Sequence, residues 1–157
     1  MAKKFIPDDF EIPSILKNDK ILLKKLSLDD APKDYEAIMS SVSYLKGIFG
    51  NDWPPVDLTL AEELMSLKLH QKDMDNRISF VYSVQNLEGS GCLGCVYFYP
   101  SPVPCYDAIV FLWVRQSEIA NGLDKFLYST VKKWVKDEWP FKNVAYPGRE
   151  NPWDEFK

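Results

Sequence analysis

Ala108-Ile109-Val110-Phe111-Leu112-Trp113-Val114 is the longest uninterrupted apolar run in the chain, and it limits the fold more than any other feature. Seven residues cannot cross a membrane, which takes about 18 or more. A strand with one face in water alternates apolar and polar residues, so a run that is apolar at every position is buried on both faces. The run predicts a central strand from Tyr106 to Val114, in a sheet with helices against it. The chain has 157 residues, 46% hydrophobic and 14% aromatic. That is enough for one domain, residues 1–157, around one core.

The flanking segments supply the other layers. Ile21 to Leu26 reads as a first strand after a Pro-interrupted, irregular N-terminal arm, residues 1–19. Ser27, Asp29 and Asp30 offer helix caps, and Pro32 suits a first helical turn. Tyr35, Ile38, Met39 and Val42 then recur at helical spacing, which predicts a helix from Ala31 to Ser41. Thr59 and Glu62 form a capping box, in which each side chain satisfies a backbone N–H of the other end of the turn. A second helix follows, ending near Asp73. Ser79 to Gln85 and Cys92 to Tyr99 are strand patterns joined by the turn Asn86–Gly91. Gly94 inside the second marks a bulge or a close backbone approach. Leu123, Phe126, Leu127, Val131, Trp134 and Val135 give one wide apolar face to a helix from Gly122 to Lys136. Pro140 stops it, and Lys142 to Tyr146 is a short final strand. The loop Gly47–Pro55 carries Phe49 and Trp53, so it either packs on the domain or lines a cleft.

Composition excludes several function classes. A net charge of −4 gives no general attraction for nucleic acid or an anionic membrane. The N-terminal stretch from Met1 has basic residues with no apolar run behind them, unlike a secretory signal. With an odd number of cysteines, Cys92, Cys95 and Cys105, this points to a reducing cytoplasm. Cys92 and Cys95 form a C-x-x-C, but ordinary strand alternation puts them on opposite faces. With no second pair, no metal site is expected. Cys105, after a Pro-rich turn, is a candidate exposed thiol. His70 is the only histidine and reads as structural or surface-exposed, so no His-dependent triad is indicated. Trp113, Trp134, Trp139, Phe126 and Phe141 read as a helix-on-sheet core. Arg149 and Glu150, between Pro147 and Pro152, form a presented charged loop suited to a small anionic or amine ligand or to a subunit contact.

The element order, strand, two helices, three-strand meander, long helix and short strand, resembles that of the GNAT acetyltransferases. Glu88-Gly89-Ser90-Gly91-Cys92-Leu93-Gly94 resembles that family's hairpin, Leu112-Trp113-Val114-Arg115 the end of its central strand, and Asn121-Gly122-Leu123 the start of its cofactor helix. The resemblance covers roughly residues 20 to 146. It implies an α/β (α+β) acyl-CoA N-acyltransferase fold with a mostly antiparallel central sheet, here with a shortened C-terminus. It also implies acetyl-CoA as co-substrate and a small-molecule amine or peptide as acceptor, with a homodimer as one assembly. The cofactor would lie against Trp113, Val114, Arg115, Ala120, Asn121, Gly122, Leu123 and Lys125, its pyrophosphate at the helix N-terminus.

The family's loop pattern is only partly present. Gly122 matches its central glycine, whereas Ile119 stands at its basic or amide position and Asp124 at its last small position. A carboxylate there faces a pyrophosphate. Either Asp124 caps a helix whose cofactor site has been lost, or it turns away and Arg115, Lys125 or Asn121 compensates. For the chemistry, the resemblance implies Asp107 as the base, with Glu118 as an alternative, and Tyr146 as the acid. Asp107 can equally be a strand-edge carboxylate, and Tyr146 core filler. After Tyr146 the apolar Trp153 and Phe156 would dock on the core or on a second subunit.

Overall fold

The structure, a computed structural model, describes residues 4–157. Met1, Ala2 and Lys3, at the head of the basic stretch, lie outside the described residues. Six strands form one sheet in chain order: β1 (Ile15–Lys17), β2 (Leu22–Lys25), β3 (Phe80–Gln85), β4 (Cys92–Pro100), β5 (Ala108–Val114) and β6 (Val144–Ala145). The first five pair antiparallel, and β6 joins β5 in parallel. Helices α1 (Ala31–Met39), α2 (Val42–Leu45), α3 (Leu60–Asp75) and α4 (Leu123–Glu138) complete the domain.

The apolar run is the centre of the molecule, since all seven residues of β5 are buried. Alternation splits them between two cores. Val110, Leu112 and Val114 meet Leu127, Val131, Trp134 and Val135 of α4. Ile109, Phe111 and Trp113 face the α1 and α3 side. A fully buried apolar side chain of this size contributes roughly 1.5–3 kcal/mol, so this one strand anchors both layers. Trp134, Trp139, Phe126 and Phe141 do form the helix-on-sheet core. Trp113 does not: its position on β5 sends it to the opposite face, among Ala37, Ile38 and Cys95.

Local signals account for the element ends. The Thr59 hydroxyl accepts from the Glu62 N–H at 3.1 Å, and the Glu62 carboxylate accepts from the Thr59 N–H at 3.1 Å, completing the capping box. Two elements differ from expectation. The N-terminal arm is not wholly irregular, because Ile15–Lys17 pairs with β2. Ile6 in that arm is buried, and Phe5 stacks on Phe141 with ring centres 5.2 Å apart. The tail returns to its own core: Phe156 packs with Ile109, Phe111 and Ala145, and Trp153 Nε1 donates to the Ile48 carbonyl at 3.1 Å.

Candidate functional site

A cavity of about 390 Å³ lies between α1, α3 and the sheet. Helix α3 presents Glu63, Ser66, Leu67 and His70 to it, an i, i+3, i+4, i+7 stripe that makes one helix face. Aromatic rings form most of the opposite wall. Phe49 and Trp53 stack with centroids 5.0 Å apart, and Phe49 meets Phe111 edge-on at 5.0 Å. The Gly47–Pro55 loop therefore does both things expected of it, docking on the core and lining the cavity.

The floor of this cavity is acidic, which sequence reading missed. Asp34 of α1 and Glu63 of α3 are both buried and hydrogen-bonded to each other. Burial pushes both carboxyls above their ordinary range. Glu63 is raised further, by its hydrogen bond to Asp34 and by that group's charge. Asp34 falls within the predicted α1 and Glu63 just after a capping box, and helical spacing by itself singles out neither carboxylate. His70 also lines the cavity rather than the free surface, and burial holds its imidazole below the usual range.

Cys92 and Cys95 correct the sequence expectation. They face the same side of the sheet, and both approach one oxygen of Asp34: Sγ of Cys95 at 3.1 Å and Sγ of Cys92 at 3.8 Å. The cause is a bulge. Gln85 opposes Cys92 and Val84 opposes Gly94, which leaves Leu93 as the extra residue; one inserted residue reverses the alternation beyond it. Gly94 is required here because a Cβ would lie 2.1 Å from the Trp113 carbonyl oxygen. Asp34, Cys92 and Cys95 offer ligand atoms that all lie within 4.8 Å of one another, so the residues expected to hold no metal are the ones close enough to share one.

The second feature is a slot between β5 and the segment after β6. The two strands pair only through Ala108–Val144 and Ile109–Ala145. Beyond that they diverge, leaving a hollow of about 190 Å³ between Phe111, Leu112, Tyr44 and the loop Pro147–Arg149. At its head, Gly122 takes φ +76° as the residue before α4, a left-handed conformation that glycine adopts without a Cβ penalty. The N–H groups of Leu123, Asp124 and Lys125 in the first turn have no intrahelical acceptors. The N–H groups of Ile119, Asn121 and Gly122 instead bond to carbonyls within the turns before α4.

Asp124 is held by Arg149, which donates to both of its carboxylate oxygens at 2.7 and 2.8 Å. The same guanidinium lies over the Tyr128 ring, 4.9 Å from its centre. Glu150 accepts from the Tyr128 hydroxyl and pairs with Lys132 at 2.7 Å. The charged loop therefore folds onto α4. Neither residue expected from the sequence to offset Asp124 by charge does so by direct contact. Arg115 turns to α1, pairing with Glu36 at 2.8 Å, and Lys125 is exposed. The Asn121 amide donates to Glu118 at 3.0 Å, and Ala120 is exposed. Trp113, Val114 and Leu123 are buried, with Trp113 Nε1 donating to the Tyr97 hydroxyl at 3.0 Å.

The three residues named for acid–base work, Asp107, Glu118 and Tyr146, do not line the cavity. One carboxylate oxygen of Asp107 accepts from the N–H groups of Lys142 at 2.7 Å and Asn143 at 3.0 Å. This fastens the start of β5 to the approach of β6. Tyr146 sits just past β6 against Tyr128, with burial and the charge of Glu150 raising its phenol to about 12. Cys105 is exposed.

No family model matches the sequence, and no curated protein matches it. Solved structures do match. The ribosomal-protein-S5-alanine acetyltransferase of Vibrio fischeri superposes with a TM-score of 0.61 at 12% identity, over 77% of this chain and 66% of that one. The microcin C7 self-immunity acetyltransferase, in complex with acetyl-CoA and AMP, gives 0.65 at 17% identity over 86% and 73%. A ribosomal-protein alpha-N-acetyltransferase in complex with coenzyme A gives 0.61 at 14% over 77% and 67%. The chain thus spans about two thirds to three quarters of these proteins, and it has the GNAT acyl-CoA N-acyltransferase fold.

Proposed function

We propose that the chain is an acetyl-CoA-dependent N-acetyltransferase whose acceptor is an amine, on a small molecule or a peptide N-terminus. The observation that carries this reading is the divergence of β5 from β6 at the start of α4, in a fold whose solved relatives include complexes with coenzyme A and acetyl-CoA. The slot would take the pantetheine arm beside Leu112 and Val114. The first-turn N–H groups of Leu123, Asp124 and Lys125, with the α4 dipole, would face the pyrophosphate. Ala120, Asn121 and Gly122 would border it. Arg149 fits as the compensating charge, by moving from Asp124 to the phosphates.

The aromatic cavity on the other side of Phe49 and Phe111 is the place for the acceptor. Asp107 is committed to two backbone N–H groups, so we assign proton removal from the ammonium to His70, which its lowered pKa keeps neutral near pH 7 and able to accept. Tyr146 keeps its proton through neutral pH and can donate it to the departing thiolate. The amine nitrogen forms its bond to the thioester carbonyl carbon as the carbon–sulfur bond breaks.

Two observations favour a second reading, a GNAT-like binding module without catalysis. The slot's volume of about 190 Å³ is below the roughly 300–1,000 Å³ of ordinary ligand pockets, and the Asp124–Arg149 pair crosses its head. Calorimetric titration with acetyl-CoA separates the two. Saturable heat, followed by thiol release with an amine panel, is the result expected of the enzyme. No binding at millimolar acetyl-CoA would leave the module.

A further inference from the structure

Four buried groups come together from three elements: Asp34 from α1 and Glu63 from α3 line the cavity, and Cys92 and Cys95 from β4 lie behind them against Asp34. We propose that Asp34, Cys92 and Cys95 bind a zinc-class metal ion, with Glu63 as the fourth ligand, so that the ion ties both helices to the sheet.

The geometry carries the assignment. A tetrahedral zinc ion with bonds of about 2.3 Å to sulfur and about 2.0 Å to oxygen sets oxygen–sulfur edges near 3.5 Å and sulfur–sulfur edges near 3.8 Å. The two oxygen–sulfur separations here are 3.1 and 3.8 Å, on either side of that edge. All three ligand atoms fall within 4.8 Å. The C-x-x-C spacing reaches this arrangement only because the bulge at Leu93 turns Cys92 to the side of Cys95. Two thiolates with carboxylate oxygens make a mixed soft and hard set that suits zinc better than magnesium or calcium.

The cluster is a polar pocket set into the apolar core, with Ala37, Ile38 and Trp113 around the two thiols. Among the described residues, Asp34 and Glu63 form no ion pair with a Lys, Arg or His, and Arg115 reaches the cluster only through the Cys92 carbonyl, to which it donates at 3.2 Å. A chain of donors leads to the Cys92 sulfur. Ser83 Oγ donates to it at 4.0 Å, and Gln85 Nε2 donates to Ser83 at 3.2 Å and to Asp30 at 3.2 Å. Lys24 pairs with Asp30 at 3.0 Å. Such outer partners orient ligands and tune their basicity. Asp34 and Glu63 border the cavity, which gives an ion a way in.

The test uses the full chain, purified without a metal-affinity tag and stripped by a chelator. Zinc titrated into it should bind with one ion per chain and raise the melting temperature. Cobalt(II) in its place should give a thiolate-to-cobalt charge-transfer band and the visible bands of a tetrahedral ion. Cys95→Ser and Cys92→Ser should each lose the charge-transfer intensity of one thiolate, and Ser83→Ala should weaken binding by about tenfold. Cys105→Ala should change nothing. Absence of zinc binding to the stripped wild-type chain, a measurement needing no variant, overturns the proposal. So does a cobalt band of undiminished intensity in Cys95→Ser, or one that disappears in Cys105→Ala. None of these readouts depends on acetyl transfer.

Discussion

Two glycines show how the same residue type serves two physical purposes. Gly94 is required by space, because a Cβ would meet the Trp113 carbonyl oxygen at 2.1 Å. Gly122 is required by conformation, because its φ is +76° although a Cβ there would meet nothing within 4 Å. Gly122→Ala should cost about 1–2 kcal/mol, the penalty of the left-handed region for an L-residue. Gly94→Ala should cost on the order of 3 kcal/mol or more, because two strands must separate. Urea denaturation of the two variants gives the ranking. Asp124 makes a sharper point about function. Removing its charge takes a carboxylate from the phosphate end of the slot and frees Arg149. If the enzyme reading holds, Asp124→Ala should bind acetyl-CoA tighter by about 1 kcal/mol, roughly fivefold. Calorimetry beside wild type would show it, and weaker binding would mean that the pair itself builds the site.

At the level of elements, the caps and stops belong to local sequence. Thr59→Ala removes an exposed capping box and should cost about 1 kcal/mol in thermal or urea denaturation, with the fold unchanged. Helices α1, α3 and α4 and strands β2 to β5 follow from period and punctuation, so each was legible within a few residues. Strand β1 was not. Three residues after a Pro-rich arm carry no periodic signal, and they are strand because β2 offers an unpaired edge. The bulge in β4 was legible only in part. Gly94 announced an irregularity, but the direction of Cys92 depends on which β3 residue it opposes.

For the whole molecule, burial converts side chains of ordinary composition into titrating groups. His70 binds its proton less readily folded than unfolded, because burial disfavours its charged form. As pH falls through the usual imidazole range the unfolded chain takes up the proton first, so the His70 contribution to stability is full above that range and declines below it. Melting temperatures measured from pH 7.5 down to about 5 should fall further, or rise less, in the wild type than in His70→Gln. A decline of equal size in the variant would rule out His70 as its source, because Asp34 and Glu63, whose carboxyls are raised on folding, gain stability as the pH falls.

The central strand, the two layers that cover it and the glycine at the start of α4 were determined by sequence alone, because periodicity, capping and chain reversal act between residues a few positions apart. The Asp34–Glu63 floor, the convergence of Cys92 and Cys95, and the closure of Asp124 by Arg149 were decided by tertiary structure. Each joins residues that only the packed sheet brings together. The charge of a side chain is written at its own position, but its partner, and with it the work that charge can do, is fixed by where the rest of the chain folds.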